Sequence, residues 1–257
     1  MSLSDDDVLK ELKDNFVVGY QDISNKRWAG ASGKHSPNEP AVYTTNGAGP
    51  HNIQIFVLDP DGVVLSCLPG YWAPKDLVSE LQFAQKMYEV DTNPELNVDQ
   101  KKRVYQMLQI QRSRQDINGM HARSHLQGFD LSYEAQHNPG SDFFYNGNAI
   151  DPKSGSTPPN NVKTVDVVMH ERMARRPLIA YKDYDVAAYA SYGKTMYDKH
   201  ETFLTDDGQM VPGAKTSNEP MIGNTPAAHP IKTEVNRAGK SIFNQAWRTG
   251  LRALVRL

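Results

Sequence analysis

The stretch PHNIQIFVLDPDGVVLSCLPGYW, residues 50–72, decides the fold class of this 257-residue chain. Residues 52–59 (NIQIFVLD) are rich in β-branched and aromatic side chains, which predicts a strand. Residues 60–62 (PDG) predict a tight turn, because proline fixes φ and glycine accepts a positive φ. Residues 63–68 (VVLSCL) return as a second strand. The stretch therefore predicts an antiparallel β-hairpin.

Helices are predicted on both sides of this hairpin. Pro74 stands where a first helical residue is favoured, and Asn97 with Gln100 forms a capping-box pattern at the start of a further helix. Upstream, Ser4 is predicted to cap a helix, and residues 16–23 (FVVGYQDI) predict a buried strand. The helix that begins at Pro74 carries apolar residues at helical spacing, namely Leu77, Leu81, Ala84 and Tyr88. The alternation of strands and helices indicates an α/β fold.

Two segments carry a resemblance to a known superfamily. SDDDVLKELKDNFVV, residues 4–18, followed by IFVLDPDGVVLSCLPGYWAPKDLVSEL, residues 55–81, resembles the thioredoxin-like superfamily. The resemblance covers about residues 3–90. It implies a thioredoxin-like sheet with flanking helices, incomplete at the N-terminus, and descent from thiol–disulfide oxidoreductases.

The chain departs from that family at the site of the redox chemistry. Relatives carry a first strand and a Cys-x-x-Cys motif before the matched segment, where a helix N-terminus lowers the thiol pKa and the second cysteine resolves the mixed disulfide. This chain holds one cysteine, Cys67. We expect it to be either a truncated form whose Met1 is an internal methionine, or a family member that has lost the N-terminal strand and motif. We expect it to be inactive in thiol exchange as given, and to leave core surface of the sheet open.

Two further residues are singled out by the resemblance or by their chemistry. Relatives carry a cis-proline just before the strand at residues 52–59, and Pro50 is the only candidate for it, with a plain loop proline as the alternative. Cys67 is either a lone reactive thiol or a small buried hydrophobic residue.

Histidine and arginine patterns suggest two other sites. His121 and His125 are four residues apart, which can place two imidazoles on one helix face for a metal, with His137 or His170 and Glu171 as further ligands. The alternative is that they are solvated polar residues. Basic residues could form an anion-binding surface or simply solvated helix faces, and they are Lys101, Lys102, Arg103, Arg112, Arg114, Arg172, Arg175 and Arg176. No cofactor is predicted.

The remaining chain predicts an extension rather than a second known fold. We expect a thioredoxin-like unit at 1–92, a mostly helical extension at 93–204 that includes helices over 162–176 and 185–201, and a flexible segment at 205–234. Residues 235–257 predict an amphipathic basic helix that contacts a partner or membrane surface, or packs on its own domain. Its contact residues would be Phe243, Trp247, Arg248 and Arg252.

Bulk properties narrow the range of partners. The formal net charge of −2 argues against nucleic acid as a partner. The sequence leaves the compartment and the oligomeric state open. The rival to an inactive oxidoreductase is therefore a non-catalytic thioredoxin-like scaffold that binds a protein partner or membrane surface through its helical extension and C-terminal helix.

Overall fold

The computed structural model describes residues 2–32, 44–145 and 161–197. Within these ranges the chain is mixed α/β. The strands are β1 (Ala31–Ser32), β2 (Gln54–Leu58), β3 (Val64–Pro69) and β4 (Met196–Tyr197). The helices are α1 (Asp6–Asn15), α2 (Pro74–Thr92), α3 (Val98–Ser113), α4 (Met120–Arg123), α5 (Gly128–His137), α6 (Val165–Ala174) and α7 (Val186–Tyr189).

The predicted hairpin is confirmed. β2 and β3 pair antiparallel, with Phe56 opposite Cys67, and the register shifts between Val57 and Leu58. Gly62 in the connecting turn has φ of 82°, as the turn prediction requires. β1 and β4 form a separate short parallel pair. The thioredoxin-like sheet itself stays a prediction.

Helix starts follow local capping chemistry. α2 begins at Pro74, and Asn97 and Gln100 make the predicted capping box at α3. Ser4 does not cap α1, because residues 2–4 form a 3-10 turn. Asp5 takes that role, and its side chain accepts hydrogen bonds from the next helical N–H groups.

The core is built around β3, all six residues of which are buried. β3 packs against both α2 and α6, so the hairpin and the predicted helical extension share one hydrophobic cluster. The largest of the fully buried side chains in that cluster are Trp72, Tyr105, Tyr189, Leu65, Leu68, Leu77, Leu81, Met87, Met169 and Met173.

Two sequence predictions are wrong. Residues 16–23 form no strand, and the side chains of Val17, Val18 and Tyr20 lie largely in solvent. Of the helix predicted over 185–201, the described residues 185–197 contain only α7; beyond it Gly193 adopts φ of 66° and donates its N–H to Glu134, and Met196–Tyr197 form β4. Helix α5, which holds Glu134, was not predicted. The helix predicted over 162–176 is confirmed as α6.

The C-terminal predictions fall outside the described residues. These are the flexible segment at 205–234 and the basic helix at 235–257 with Phe243, Trp247, Arg248 and Arg252. In the ranges that are described, no helix combines the length and apolarity needed to cross a bilayer.

Candidate functional site

An exposed apolar segment follows α1 directly. The helix ends because Phe16 turns to extended backbone, and its N–H still bonds to the Leu12 carbonyl at 3.0 Å. Phe16 packs on the core, but Val17 and Tyr20 are fully exposed and Val18 is 68% exposed. We call residues 16–20 segment 16–20. Its residue types favour a strand, yet the described chain gives it no strand to pair with.

Segment 16–20 is held at both ends. Phe16 packs on the core at one end, and at the other the Tyr181 hydroxyl donates to Oε1 of Gln21 at 2.8 Å. The Tyr181 ring meets Phe56 of β2 edge-on, with 4.9 Å between ring centroids. The segment is therefore anchored to the core at Phe16 and, through Gln21 and Tyr181, to the ring of Phe56.

One edge of β2 is open within the described part of the chain. The other edge bonds to β3, whose turn end continues the pairing to residues 179–181 through the N–H groups of Val64 and Tyr181. Along Gln54–Leu58, no described residue outside β3 bonds to the backbone. Ile53 and Leu58, at the two ends of this edge, are 43% and 40% exposed. A row of unpaired N–H and C=O groups flanked by apolar side chains is a template for another strand.

Carboxylates crowd the turn end of the hairpin. Burial raises the pKa of Asp91, and the Asp59 carboxyl beside it raises it further by hydrogen bonding and by its charge. Asp61 adds to this effect, while Lys101 opposes it. The end of the open edge that holds Asp59 is thus locally acidic.

Cys67 occupies the centre of the core. Its side chain is fully buried, and burial raises the pKa of the thiol well above its ordinary value, against a smaller opposing effect of Arg176. The Tyr189 hydroxyl donates to the Cys67 carbonyl at 2.7 Å and closes the structure over it. The reading of Cys67 as a reactive thiol is therefore wrong, because a reactive cysteine needs exposure and a lowered pKa.

Cys67 is expected to resist thiol reagents in the folded protein. With 5,5′-dithiobis(2-nitrobenzoic acid) at neutral pH, we expect no release of thionitrobenzoate on the time scale of minutes, and one equivalent per chain after denaturation in guanidinium chloride. The physical reason is that only the exposed thiolate attacks the reagent. Rapid stoichiometric reaction of the native protein would contradict the buried position.

Pro50 does not have the cis bond of the family pattern. The peptide bonds of the described residues are all trans, including the one that joins Gly49 to Pro50. Pro50 lies inside a turn closed by the bond from the Asn52 N–H to the Gly49 carbonyl, before β2 begins. The prediction of a cis-proline is wrong, and Pro50 is a loop proline.

The histidines do not converge on a metal. Nδ1 of His121 lies 2.7 Å from Oδ2 of Asp166, whereas His125 bonds to the Ala122 carbonyl of its own turn. His170 is buried between Gln109 and Glu80. No group of three potential metal ligands forms within the part of the chain that the structure describes. The predicted metal site is therefore not formed by His121 and His125.

The pair of His121 and Asp166 was not predicted. It joins α4 to the first turn of α6, and His121 lines a groove between α3 and α6 together with Arg114 and Thr164. A carboxylate on Nδ1 fixes the ring and leaves Nε2 as the group that faces outward. The two partners are 45 positions apart, so no local pattern could have signalled the pair.

Ion pairs within the chain occupy several of the guanidinium groups that the predicted anion-binding surface requires. Arg172 is buried and forms a two-pronged bond to Asp142, which also binds Arg175. Arg112 binds the buried Glu80. These guanidinium groups are committed to carboxylates of the same chain, so they do not form a free cationic face. The remaining basic residues of that prediction are Lys101, Lys102, Arg103, Arg114 and Arg176.

Comparison with known proteins identifies no relative. No family model matches the chain, and neither curated proteins nor solved structures give a significant match. The resemblance to the thioredoxin-like superfamily therefore rests on the residues quoted for it.

Proposed function

We propose that this chain is a thioredoxin-like binding module that holds an extended segment of a protein partner at the open edge of β2, without thiol chemistry of its own. The observation that carries the proposal is the edge of β2 that no described residue pairs with, flanked by exposed apolar side chains at its two ends. The proposal develops the non-catalytic scaffold that the sequence offered as the rival reading.

The resemblance supports this choice. It predicts a β-hairpin followed by a helix, and β2, β3 and α2 have that order. It also predicts core surface left open where the family has a further strand. The exposed residues of segment 16–20 and of β2 agree with that expectation.

Strand addition is the binding mode that suits such an edge. Main-chain hydrogen bonds to β2 would supply affinity, and alternate side chains of the added strand would contact the apolar flanks at Ile53 and Leu58. The edge is already held in β conformation by β3, so the protein side has little ordering entropy to lose on binding.

The chemistry of the edge defines the partner. The middle of β2 carries no charged side chain, which favours an uncharged, β-branched sequence. The acidic end at Asp59 and Asp61 favours a lysine or arginine at one end of that sequence. We therefore propose a short extended apolar segment flanked by a basic residue.

The lack of thiol chemistry follows from Cys67. Thiol–disulfide exchange needs two accessible thiols, or one with a lowered pKa, and this chain holds a single buried cysteine whose pKa is raised. If the family's chemistry is retained at all, the reactive thiols must come from outside this sequence.

The proposal is tested with a defined strand peptide. The probe is a fluorescein-labelled peptide of sequence KVTVTVK, titrated with the full chain and followed by fluorescence anisotropy. We expect saturable binding, and loss of binding when every internal amide of the peptide is N-methylated, because the methyl groups remove the N–H donors that strand pairing needs.

Matched lysine substitutions locate the binding surface. Ile53→Lys and Leu58→Lys place a charge at the two ends of the open edge and should weaken binding by about tenfold or more, which corresponds to about 1.4 kcal/mol. Val98→Lys adds the same charge to an exposed residue, 65%, at the start of α3 and should leave binding unchanged. Equal binding of the methylated peptide, or equal effects of all three variants, would refute the proposal.

The C-terminal residues offer a second contact. The amphipathic basic helix predicted at 235–257, with Phe243, Trp247, Arg248 and Arg252 on its contact surface, stays a prediction of the sequence for a partner or membrane surface. It is independent of the open edge, so the peptide experiment does not test it.

A further inference from the structure

The groove between α3 and α6 has no role in the proposed strand binding. Its volume is about 910 Å³, within the range of roughly 300–1,000 Å³ that small-molecule sites occupy. Ile110, Val167 and Ala174 give it an apolar lining, and Arg114 and His121 add polar groups. An apolar lining with a few polar groups is the usual composition of a small-molecule site.

His121 presents one ring nitrogen for a ligand. Its Nδ1 lies 2.7 Å from Oδ2 of Asp166, and its backbone N–H donates to Oδ1 of Asp116 at 2.9 Å. The Asp166 side chain is 4% exposed, whereas that of His121 is 31% exposed. Nε2 has no partner among the described residues. It accepts a hydrogen bond when the ring is neutral and donates one when the ring is protonated.

Arg114 supplies a guanidinium group that no carboxylate occupies. Arg114 is the exposed C-cap residue of α3, and no described residue bonds to its side chain. The acidic groups along α6 have other partners, since Glu171 binds Lys163 at 2.8 Å and Asp142 binds Arg175 at 2.6 Å. A free guanidinium fits the oxygens of a phosphate with two parallel hydrogen bonds.

We infer that the groove between α3 and α6 binds a phosphate monoester, with Arg114 and Nε2 of His121 as its ligands for the phosphate group. A phosphate monoester has a second pKa of about 6, so near neutral pH it offers both oxygen acceptors and a hydroxyl donor. It can therefore bond to Nε2 in either protonation state of the ring. A carboxylate at neutral pH offers acceptors only. This site is independent of the open edge of β2.

The apolar lining determines the rest of the ligand. A phosphate group fills only a small part of the groove, and the remaining wall includes Ile110 on α3, Val167 on α6 and the ring of Tyr145. Burial of an apolar or aromatic group against these side chains would add affinity. The alcohol part of the ester is therefore apolar or aromatic.

A titration of the full chain with phenyl phosphate tests the inference. In ¹H–¹⁵N correlation spectra we expect saturable shifts of the amide signals of Arg114, His121 and Val167, with a dissociation constant below about 1 mM. Inorganic phosphate should bind about tenfold more weakly or worse, because it lacks the apolar group. Phenol, which lacks the phosphate, should give no saturable shifts.

Matched substitutions identify the residues that hold the phosphate. Arg114→Gln and His121→Gln should each raise the dissociation constant of phenyl phosphate by about tenfold or more, because each removes a charge-assisted hydrogen bond. Arg103→Gln removes the same charge from an exposed residue of α3 that does not line the groove, and should leave the constant unchanged. Arg114 has no partner in the described chain, so Arg114→Gln should keep the spectrum of the folded protein.

Three results would overturn the inference. The first is the absence of saturable shifts with phenyl phosphate up to about 10 mM. The second is an equal loss of affinity in Arg103→Gln and Arg114→Gln, which would mean a diffuse attraction of charges. The third is equal affinity for inorganic phosphate and phenyl phosphate, because the apolar lining would then contribute nothing to binding.

Discussion

Replacing Glu80 by alanine is expected to lower the free energy of unfolding by about 3–5 kcal/mol. Glu80 lies on α2 and is completely buried. Its Oε1 accepts bonds from Nε and Nη2 of Arg112 at 3.2 and 2.8 Å, and its Oε2 lies 3.3 Å from Nε2 of His170. Removal of the carboxylate leaves a buried guanidinium and a buried imidazole without their anion.

Equilibrium urea denaturation measures this loss. Glu89→Ala is the matched control, because Glu89 lies on the same helix in solvent, and it should change the free energy of unfolding by less than about 0.5 kcal/mol. A loss of under about 1 kcal/mol for Glu80→Ala would contradict the buried network.

Glu80 also predicts a pH dependence. Burial by itself would raise the pKa of Glu80, but the charges and hydrogen bonds of His170 and Arg112 outweigh burial and lower it. Between the lowered folded pKa and the unfolded value of about 4.3, the unfolded state binds more protons, so stability rises with pH. The contribution is complete above the unfolded value and is lost as the pH falls through the folded pKa.

The Glu80→Gln variant checks this sign. Because it lacks the titrating group, its melting temperature should fall less between about pH 5 and about pH 3 than that of the unmodified protein. An identical fall in both proteins would mean that Glu80 has no lowered pKa.

Replacing Arg172 by alanine is expected to cost a similar amount, about 3–5 kcal/mol. Nε and Nη2 of Arg172 bind the two carboxylate oxygens of Asp142 at 3.0 and 2.6 Å, and Nη1 donates to the Tyr189 carbonyl at 2.6 Å. The guanidinium carbon also lies over the rings of Phe143 and Tyr192. One side chain of α6 thereby holds two segments distant in sequence.

Two further variants distinguish the contribution of the two-pronged bond between Arg172 and Asp142 from the contribution of the positive charge alone. Arg172→Lys keeps the charge but cannot make the planar two-pronged bond, so it should remain clearly destabilised in urea denaturation. Arg175→Ala removes the more exposed partner of the same Asp142 carboxylate and should cost about 1 kcal/mol or less. Full stability of Arg172→Lys would show that the two-pronged geometry of the bond to Asp142 is unimportant.

The sequence predicted well where local chemistry decides the structure. The hairpin follows from β-branched runs on both sides of residues 60–62, and the starts of α2 and α3 follow from Pro74 and from Asn97 with Gln100. Each of these signals lies within a few residues of the structure that it specifies. The turn and capping residues lie next to each other in sequence, so they interact in any fold that contains the segment.

The sequence predictions failed where a residue distant in sequence determines the local structure. Residues 16–23 have the composition of a buried strand, but a strand requires a neighbour, and the described chain supplies none. Within the described residues 185–197, the predicted helix stops after α7, and Glu134 and Asp130 accept hydrogen bonds from the N–H groups of Gly193 and Lys194 beyond it. Those carboxylates belong to α5, about 60 residues away.

The candidate site shows the same division. The sequence alone determined that one cysteine cannot form a disulfide pair within this chain, and that residues 52–68 form a hairpin. Only the tertiary structure decided that Cys67 is buried, that Arg172 and Glu80 are committed to ion pairs, and that the edge of β2 is open. Burial and ion pairing depend on which segments distant in sequence pack together. The free energy that favours this packing comes from the whole core and not from any one local segment.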